Sequence, residues 1–520
     1  MSNGNNNTNP MNVWYSKPID VHIWSDYKEI NQVVDQIYDS FTEDEYLAIT
    51  GRSNNQGRAS GKVHLKVIIL DLYVAWKTDP ELCIGIELSN NAYKVGSRYN
   101  ALHISPRVAI VVPILFSNGW IDLNAGSNNR ANNGIGNRTT RIRATDTLIR
   151  LFEPIGLEPY ELGTNHKQEC IILRAADTDA EGNPIKIVKG LRKKTKIINI
   201  EYLDSDHPNI IQIRSDLQAY NEFLKETYID IPDLKRPRIE RIRKDGKKQY
   251  IQINQNGKFV KRIFSRKSWE LNGRFYGGWW QQISKEDRKK IKIDDYPTVE
   301  VDYKGLHASI LAAQMGMYQP KRDIYNLGQQ ILPQFDLKKQ RQIMKMLVLT
   351  AINAKNRNDA CSAFRFDSEE AELSRLTNLE LNLLLDEFIK LHPYLESSLG
   401  SDQGIKLMNL DSQITSIIIN KFVEQRRPIL SVHDSYIVKT TDVELLRDMM
   451  KLASLEVVGT DLSAEQEIPS YGNIMNMMKL DRDRALDTFK QVLGTNNNTE
   501  EYSIRLNKFM EYKQRKYSNH

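Results

Sequence analysis

The stretch VEVDYKGLHASILAAQMG, residues 299–316, decides the fold because it combines a strand, a turn and a helix around one acidic residue. Val299 and Val301 alternate with polar residues, which is typical of a half-buried strand. Residues 303–305 predict a turn, and the apolar residues after them recur at helical spacing. Asp302 therefore ends a strand, where it is either the N-cap of the helix or a metal ligand that faces whatever lies over the sheet.

A second stretch, RPILSVHDSYIVKTTD at residues 427–442, predicts a hairpin with His433, Asp434 and Ser435 at its tip. Two strand-borne acids can be neighbours in an antiparallel sheet, but carboxylates a few ångströms apart repel each other. Two Mg²⁺ ions would relieve that repulsion, because hard cations prefer oxygen ligands. Such a metal pair stabilises the attacking and leaving oxygens of an in-line displacement. The sequence therefore predicts a two-metal site at Asp302 and Asp434.

Between these stretches lies a basic helix, DLKKQRQIMKMLVLTAINAKN, at residues 336–356. Lys338, Arg341 and Lys345 fall at i, i+3 and i+7, so they share one face of the helix. A solvated basic stripe is the ordinary interpretation of this helix, and a face that binds a triphosphate is the alternative. The order of acid turn, basic helix and His-Asp hairpin favours the triphosphate.

The amino-acid composition is compatible with several classes of protein. The 520 residues suffice for about three domains of ~150 residues each, and 72 Lys and Arg against 66 Asp and Glu give a net charge of +6. Residues 235–267 hold 13 Lys or Arg and two acids, and residues 189–196 form a second basic cluster. These clusters are either solvated faces or surfaces that follow a phosphate backbone. Aromatic residues that can stack on bases lie in or beside the first cluster, namely Tyr250, Phe259, Phe264 and Trp269.

Three cysteines, Cys83, Cys170 and Cys361, lie far apart in the chain, and no Cys-x-x-Cys pair occurs. This spacing argues against a disulfide framework and a cysteine zinc site, and it fits a reducing compartment. The polar N-terminus lacks an apolar signal region, and the longest apolar stretch, residues 108–116, is too short to span a bilayer. We therefore expect no membrane contact and a location in the cytoplasm of a bacterium or phage-infected host.

The ordered stretches resemble the palm and fingers of family A DNA polymerases and the related single-subunit RNA polymerases. The resemblance covers roughly residues 265–450, and its specificity lies in the ordered set rather than in any one motif. The resemblance implies an α+β right-hand polymerase fold with an antiparallel palm sheet and helical fingers and thumb. The matching stretches are GRFYGGWWQQI (273–283), DY followed by ASILA (302–312), KRDIYNLG (321–328), R-x-x-x-K (341–345), NLDSQ (409–413) and VHD (432–434).

The resemblance also implies roles for single residues. Asp302 and Asp434 would bind two Mg²⁺ ions, with Mn²⁺ as a substitute, while Arg341 and Lys345 would hold the triphosphate. Lys345 would also protonate the leaving pyrophosphate. Further nucleotide contacts would come from Tyr303, His307 and Asn353, and contacts to the primer and template from Arg274, Gln282, Arg288, Asn409, Gln413 and His433.

The sequence departs from the family pattern at positions that bear on which nucleotide sugar, ribose or deoxyribose, is accepted. His307 stands where the DNA polymerases have a glutamate that packs against the 2′ position, and Ser435 ends the last motif, as in the RNA polymerases. The aromatic residue, glycine and tyrosine of the family's fingers helix are here Leu349, Thr350 and Asn353. We expect primer-templated DNA synthesis from dNTPs, with an RNA polymerase or primase-like polymerase as an alternative. A non-catalytic nucleic-acid-binding replication protein and a metal-dependent nuclease are two further alternatives.

Domain boundaries follow from the pattern of predicted elements. A helix, a hairpin with a polar tip and a second helix before residue 160 resemble a winged helix, and an ordinary helical domain with one polar loop is the alternative. Residues 249–264 predict a hairpin that turns at Asn256-Gly257. The compact layout, without a recognisable proofreading domain, indicates a phage, plasmid or other mobile element. The expected divisions are a disordered tail (1–12), an N-terminal helical domain (13–160), an α+β connecting or thumb-like region (161–235), a basic thumb or palm-approach segment (236–298), palm and fingers (299–480) and a C-terminal helical tail (481–520).

Overall fold

The computed structural model describes most of the chain in segments. The described residues are 10–51, 55–89, 93–127, 137–164, 168–189, 192–242, 248–319, 323–368, 370–466, 483–484, 487–488 and 498–518. Several sequence predictions lie wholly or partly outside them: most of the tail at 1–12, the tip of the polar loop at 128–136, the centres of both basic clusters at 190–191 and 243–247, and the boundary at 480/481.

Helices and strands are both abundant, and most strand pairs are antiparallel, so the fold is α+β. The helices are α1 (Lys28–Asp39), α2 (Glu43–Thr50), α3 (Asn55–Thr78), α4 (Val108–Ser117), α5 (Asp146–Phe152), α6 (Ile210–Glu226), α7 (Lys285–Arg288), α8 (Leu306–Gln314), α9 (Leu337–Asn353), α10 (Arg357–Asp367), α11 (Ala371–Ser374), α12 (Asn378–Leu391), α13 (Gly404–Glu424), α14 (Val443–Val458) and α15 (Glu500–Ser518).

The strands are β1 (Ser16–Pro18), β2 (Ile23–Trp24), β3 (Cys83–Ile86), β4 (Ile121–Asn124), β5 (Thr140–Ala144), β6 (Gly163–Thr164), β7 (Ile171–Ala176), β8 (Lys186–Lys189), β9 (Arg192–Thr195), β10 (Ile197–Asn199), β11 (Ile229–Asp230), β12 (Arg238–Ile242), β13 (Lys248–Gln252), β14 (Lys261–Ser265), β15 (Ser268–Tyr276), β16 (Lys292–Ile293), β17 (Tyr296–Tyr303), β18 (Ile429–Val432), β19 (Ser435–Lys439) and β20 (Ala464–Gln466).

The sheet that carries the predicted acids has the strand order β11-β16-β17-β19-β18. The short strand β20 pairs with the last residues of β17, on the side away from β19. Every pair in this sheet is antiparallel. The hairpin predicted around Asp434 is confirmed as β18–β19, and the strand–turn–helix predicted around Asp302 is confirmed as β17 and α8. The sheet thus joins two sequence stretches that lie more than a hundred residues apart.

A second sheet, in the order β10-β7-β14-β15, lies against α13 through β15. The hairpin predicted to turn at Asn256-Gly257 is wrong, because β13 pairs with β12 while β14 pairs with β15 and β7. The two strands flanking that turn therefore belong to different sheets. The turn redirects the chain instead of closing a hairpin.

The N-terminal region has a hydrophobic core of its own, distinct from that of the rest of the protein. One buried cluster runs from Tyr15 to Leu162, and another runs from Cys170 to Leu462. In the N-terminal region the predicted order of helix, hairpin and helix is present as α4, β4–β5 and α5, but β5 also pairs with β3 and β3 with β1, which makes a four-stranded sheet. The winged-helix interpretation stays a prediction.

The last helix, α15, rests on the body of the protein through Tyr502 and Phe509, which form a small cluster with Tyr228. No helix in the described residues combines the length and the apolar composition needed to cross a membrane.

Candidate active site

Asp302 stands on the exposed face of β17 near its end. Val299, Val301 and Tyr303 are buried on the opposite face, each at most 2 % exposed. The helix α8 begins after Gly305, whose φ of 56° lies in the left-handed region that glycine adopts without strain. Gly305 occupies the N-cap position, so the N-cap interpretation of Asp302 is excluded and its carboxylate is left to face the space over the sheet.

Asp434 reaches the same place from the turn that precedes the neighbouring strand, β19. The register pairs Asp302 with Ser435, and the backbone N–H of Tyr303 donates to the carbonyl oxygen of Asp434 at 3.3 Å. The turn before it is tight, since His433 takes a φ of 58°. The structure therefore brings the two predicted acids together where β17 ends and β19 begins.

The electrostatics of the pair follow from this proximity. Burial, and next the negative charge of Asp434, raise the pKa of Asp302 from 3.8 to about 6, while the charges of Lys285 and Lys345 oppose the rise. A raised pKa means that the folded protein disfavours the ionised carboxylate. A cation between the two acids would remove that penalty.

Glu465 is a third acid at this place, and sequence analysis missed it. It lies on β20, directly across from Asp302. Within the described residues, no group of three or more His, Cys, Asp or Glu side chains is arranged to hold a metal ion. Two aspartates could hold Mg²⁺, since Mg²⁺ commonly takes one or two protein carboxylates and completes its shell with water and substrate phosphates.

The predicted cationic helix is α9, which faces the acids with part of its basic stripe. Its N-cap is Asp336, whose carboxylate accepts from the backbone N–H of Lys339 at 2.6 Å. Lys345 and Arg341 line a pocket beside α8, whereas Lys338 is exposed and does not line it. Only part of the predicted basic face therefore reaches the site.

Acidic residues neutralise cations in this pocket. Arg341 makes an ion pair with Asp323, and Lys304 makes one with Glu465 at 3.2 Å. An anionic ligand in the pocket would compete with these carboxylates for the same cations. The other lining residues are Gly305, Ser309, Ala312, Met317, Tyr318, Gln319, Ile324, Tyr325, Lys345 and Tyr394.

Tyr325 lines the same pocket and was not among the predicted site residues. The residue is only 4 % exposed, and its hydroxyl has no hydrogen-bond partner within the described residues. A buried hydroxyl without a partner costs free energy unless a ligand or water meets it. The signal in the sequence was the KRDIYNLG stretch, of which Lys321 and Arg322 lie outside the described residues.

The structure corrects the prediction for Tyr303. Its side chain points into the core, 2 % exposed, where the hydroxyl donates to the carbonyl oxygen of Met450 and the ring packs edge-on against Tyr436. Because side chains alternate along a strand, Tyr303 lies on the face opposite Asp302. It cannot contact a nucleotide that sits over the acids.

Asn353 also lies away from the phosphate pocket. It ends α9, eight residues after Lys345, which is about 12 Å along a helix. Its amide donates to the carbonyl oxygen of Leu349 at 2.7 Å. The side chain packs against the start of α13 so closely that a Cβ at Gly404 would meet its Oδ1 at 1.8 Å. The structure therefore does not place Asn353 beside Arg341 and Lys345.

Two predicted nucleic-acid contacts near α7 have different surroundings. Arg288 holds Glu300 with two hydrogen bonds of 2.8 and 2.9 Å, and Glu300 also accepts from the Ser435 hydroxyl at 2.7 Å. The guanidinium is therefore engaged beside the acids. Gln282 is exposed, and its backbone carbonyl oxygen accepts from Arg241 at 3.2 Å.

The predicted Asn-x-x-x-Gln pair of α13 is tied to β15. The Asn409 amide donates to the carbonyl oxygens of Trp269 and Asn272 at 3.1 and 3.2 Å, and its Oδ1 accepts from Gln413 at 2.8 Å. Asn409 is buried and holds α13 against β15, while Gln413 is exposed. Contact of this pair with a duplex stays a prediction.

Arg274 and His307 meet each other inside the protein. Arg274 Nη2 lies 3.0 Å from His307 Nε2, and its Nε pairs with the carboxylate of Asp411. Burial, helped by the positive charge of Arg274, lowers the pKa of His307 to about 3. Asp411 belongs to the NLDSQ stretch, but the resemblance implies no role for it.

His433 is the exposed residue at the hairpin tip. Its ring lies edge-on to Tyr276, with centroids 5.9 Å apart. Desolvation and the positive charge of Arg274 lower its pKa. The position beside Asp434 leaves the imidazole free to meet a ligand that lies over the acids.

Comparison with known proteins adds little to this geometry. No protein-family model and no curated protein sequence matches the chain. One solved structure that it matches is the POL domain of Pol1 from M. smegmatis in complex with DNA primer-template and dNTP, at 11 % identity over 86 % of this chain and 67 % of that chain, with a TM-score of 0.29. A TM-score of that size does not establish a shared fold, so the function has to be inferred from the site itself.

Proposed function

We propose that the protein is a template-directed nucleotidyltransferase that adds dNMP units to the 3′ end of a primer. The observation that carries the proposal is the convergence of Asp302, at the end of β17, and Asp434, in the turn before the paired strand β19, with Lys345 of α9 close enough to influence the pKa of Asp302. The ordered resemblance to family A polymerases supports the same interpretation. A phage, plasmid or other mobile element and a cytoplasmic location remain part of this proposal.

The residues fit a pair of Mg²⁺ ions. Asp302 and Asp434 supply hard oxygen ligands, and burial together with the negative charge of Asp434 raises the pKa of Asp302, a penalty that a bound cation would offset. When bound, the ions would supply charge stabilisation for the attacking and leaving oxygens. The protein's part is to hold both carboxylates rigidly, which the paired strands β17 and β19 do.

Cationic side chains would bind and orient the triphosphate. Lys345 is exposed at the pocket and lies on the acids' side of α9, so it would hold the outer phosphates and donate a proton to the leaving pyrophosphate. Arg341, which pairs with Asp323 through Nε, would leave that carboxylate for a phosphate, which can accept two parallel hydrogen bonds from a guanidinium. The buried hydroxyl of Tyr325 would find a partner in the same ligand.

Primer extension tests this proposal. The parent protein should extend a primed DNA template with dNTPs and Mg²⁺, and Asp302→Asn and Asp434→Asn should each lose at least about 10³-fold in rate. Asp359→Asn, an exposed acid on α10, is the matched control and should extend like the parent.

The same assay separates the alternatives. Faster extension with NTPs than with dNTPs would identify an RNA polymerase or a primase-like polymerase. Equal duplex binding by all the proteins with no extension by any would identify a non-catalytic replication protein. Loss of the input strand without nucleotides would identify a nuclease. Each of these three outcomes rejects the proposed DNA synthesis.

A further inference from the structure

Three side chains beside the acids form a continuous chain of contacts. Asp411 of α13 pairs with Arg274 Nε of β15, and Arg274 Nη2 lies 3.0 Å from Nε2 of His307, in the first turn of α8. The Asp411 side chain is fully buried, that of Arg274 is 13 % exposed, and His307 is 8 % exposed. Three distant parts of the sequence therefore meet in one buried polar arrangement.

The chemistry of arginine fixes the proton on His307. A guanidinium carries only hydrogen-bond donors, so His307 Nε2 has to accept from Arg274. Burial and the charge of Arg274 also keep the imidazole neutral. The ring proton must then sit on Nδ1, and Nδ1–H is the one donor that His307 can offer to a ligand.

Asp411 explains why Arg274 stays in place. A buried carboxylate is costly unless it is paired, and the nearby negative charge of Asp434 makes the cost at Asp411 larger. Arg274 offsets this cost, and it also cannot turn toward solvent without leaving the buried carboxylate unpaired. The guanidinium is thus held between Asp411 and His307 from both sides.

We propose that Asp411 and Arg274 are positioning residues that hold His307 as its neutral Nδ1–H tautomer for contact with the incoming nucleotide. Arg274 then acts through His307 and does not itself contact nucleic acid, in contrast to the role that the resemblance gives it. The inference rests on the proposed function for the nucleotide contact, but the tautomer can be tested without any activity.

Nitrogen NMR of ¹⁵N-histidine-labelled protein measures the tautomer directly. The His307 resonances are assigned by their loss in His307→Gln. We expect a protonated Nδ1 and an unprotonated Nε2 in the parent, and a mixture of tautomers in Arg274→Met, because methionine fills similar space without a donor. A parent with a protonated Nε2, or with both nitrogens protonated, overturns the proposal.

Single-nucleotide incorporation on a primed template tests the link to the substrate. In Asp411→Asn, kcat/KM for the nucleotide should fall about tenfold while the duplex Kd changes by less than about twofold. The matched control is Asp230→Asn on β11. Asp230 is also buried, and it pairs with Arg505 at 2.8 Å instead of with a residue of the candidate site. It should keep the parent kcat/KM.

A double variant decides whether Asp411 acts through His307. In a His307→Ala background, the effect of Asp411→Asn should shrink from about tenfold to less than about twofold. A full tenfold loss in that background, or a weakened duplex Kd in Asp411→Asn, overturns the proposal. A parent that extends no primer overturns the proposed function and the nucleotide contact together, while the NMR result still decides the tautomer.

Discussion

Replacing Asp302 by asparagine should stabilise the metal-free protein. Burial and the charge of Asp434 raise the pKa of Asp302 from 3.8 to about 6. The folded protein therefore binds this proton more tightly than the unfolded chain does, so stability is lost as the pH rises through the interval from 3.8 to about 6. Asparagine has no proton to lose and stays neutral, so it escapes this penalty above about pH 6.

The expected magnitude follows from the same interval. The interval between the two pKa values corresponds to about 3 kcal/mol at ~1.36 kcal/mol per pH unit. Asp302 is partly exposed, and solvent screening reduces the effect to about 1–2 kcal/mol. The gain in the free energy of unfolding should therefore be measurable even though the substitution removes a predicted catalytic group.

Urea denaturation in EDTA provides the measurement. At about pH 8 the Asp302→Asn variant should be more stable than the parent by that amount, and the difference should shrink at about pH 4.5. Mg²⁺ should then stabilise the parent and have little effect on the variant. The control is Asp402→Asn, where the hydrogen bonds from Arg266 lower the pKa of the carboxyl, so the substitution should destabilise the protein instead.

One result would refute the reasoning. If Asp302→Asn were less stable than the parent at about pH 8 in EDTA, the two carboxylates would not repel each other in solution. Either they would lie farther apart than the strand register places them, or Lys285 and Lys345 would already neutralise them. In both cases Asp302 and Asp434 would not need a divalent cation between them.

Three further predictions concern single side chains. Tyr303→Phe should cost about 1 kcal/mol of unfolding free energy through the lost bond to Met450 and leave the nucleotide KM unchanged; a raised KM would restore Tyr303 to the site. Lys345→Gln should lower kcat/KM in primer extension by at least about 10²-fold, and Lys338→Gln, on the same helix but outside the pocket, by less than about twofold. Tyr325→Phe removes a hydroxyl that has no partner among the described residues, so thermal denaturation should show unchanged or slightly greater stability, by up to about 1 kcal/mol.

Local patterns in the sequence predicted the elements of the site well. The alternation before Asp302 and the tight turn at Asp434 are set by residues close in the chain, and both elements formed as expected. The Asn256-Gly257 hairpin failed because a turn signal does not specify which strand pairs with which. The strands on either side of that turn pair with other strands instead: β13 forms five residue pairs with β12, and β14 forms five with β15.

The correction at Tyr303 has a different cause. Period-two alternation alone places Val299, Val301 and Tyr303 on one buried face, and the structure agrees. The family resemblance gave Tyr303 a nucleotide contact against that local rule. Glu465 was missed for the opposite reason, because it lies in no motif and becomes part of the site only when β20 pairs with β17.

The arrangement of charges explains why the two halves of the site belong together. On the sheet, Asp302, Asp434 and Glu465 concentrate negative charge in a partly buried place, which lowers stability. On α9 and its surroundings, Arg341 is held by Asp323, although a cation that served only structure would gain as much on the open surface. A divalent cation on the acids and a triphosphate on the cations would satisfy both halves at once. Keeping like charges this close costs stability, and the proposed function accounts for that cost because the two ligands would offset it.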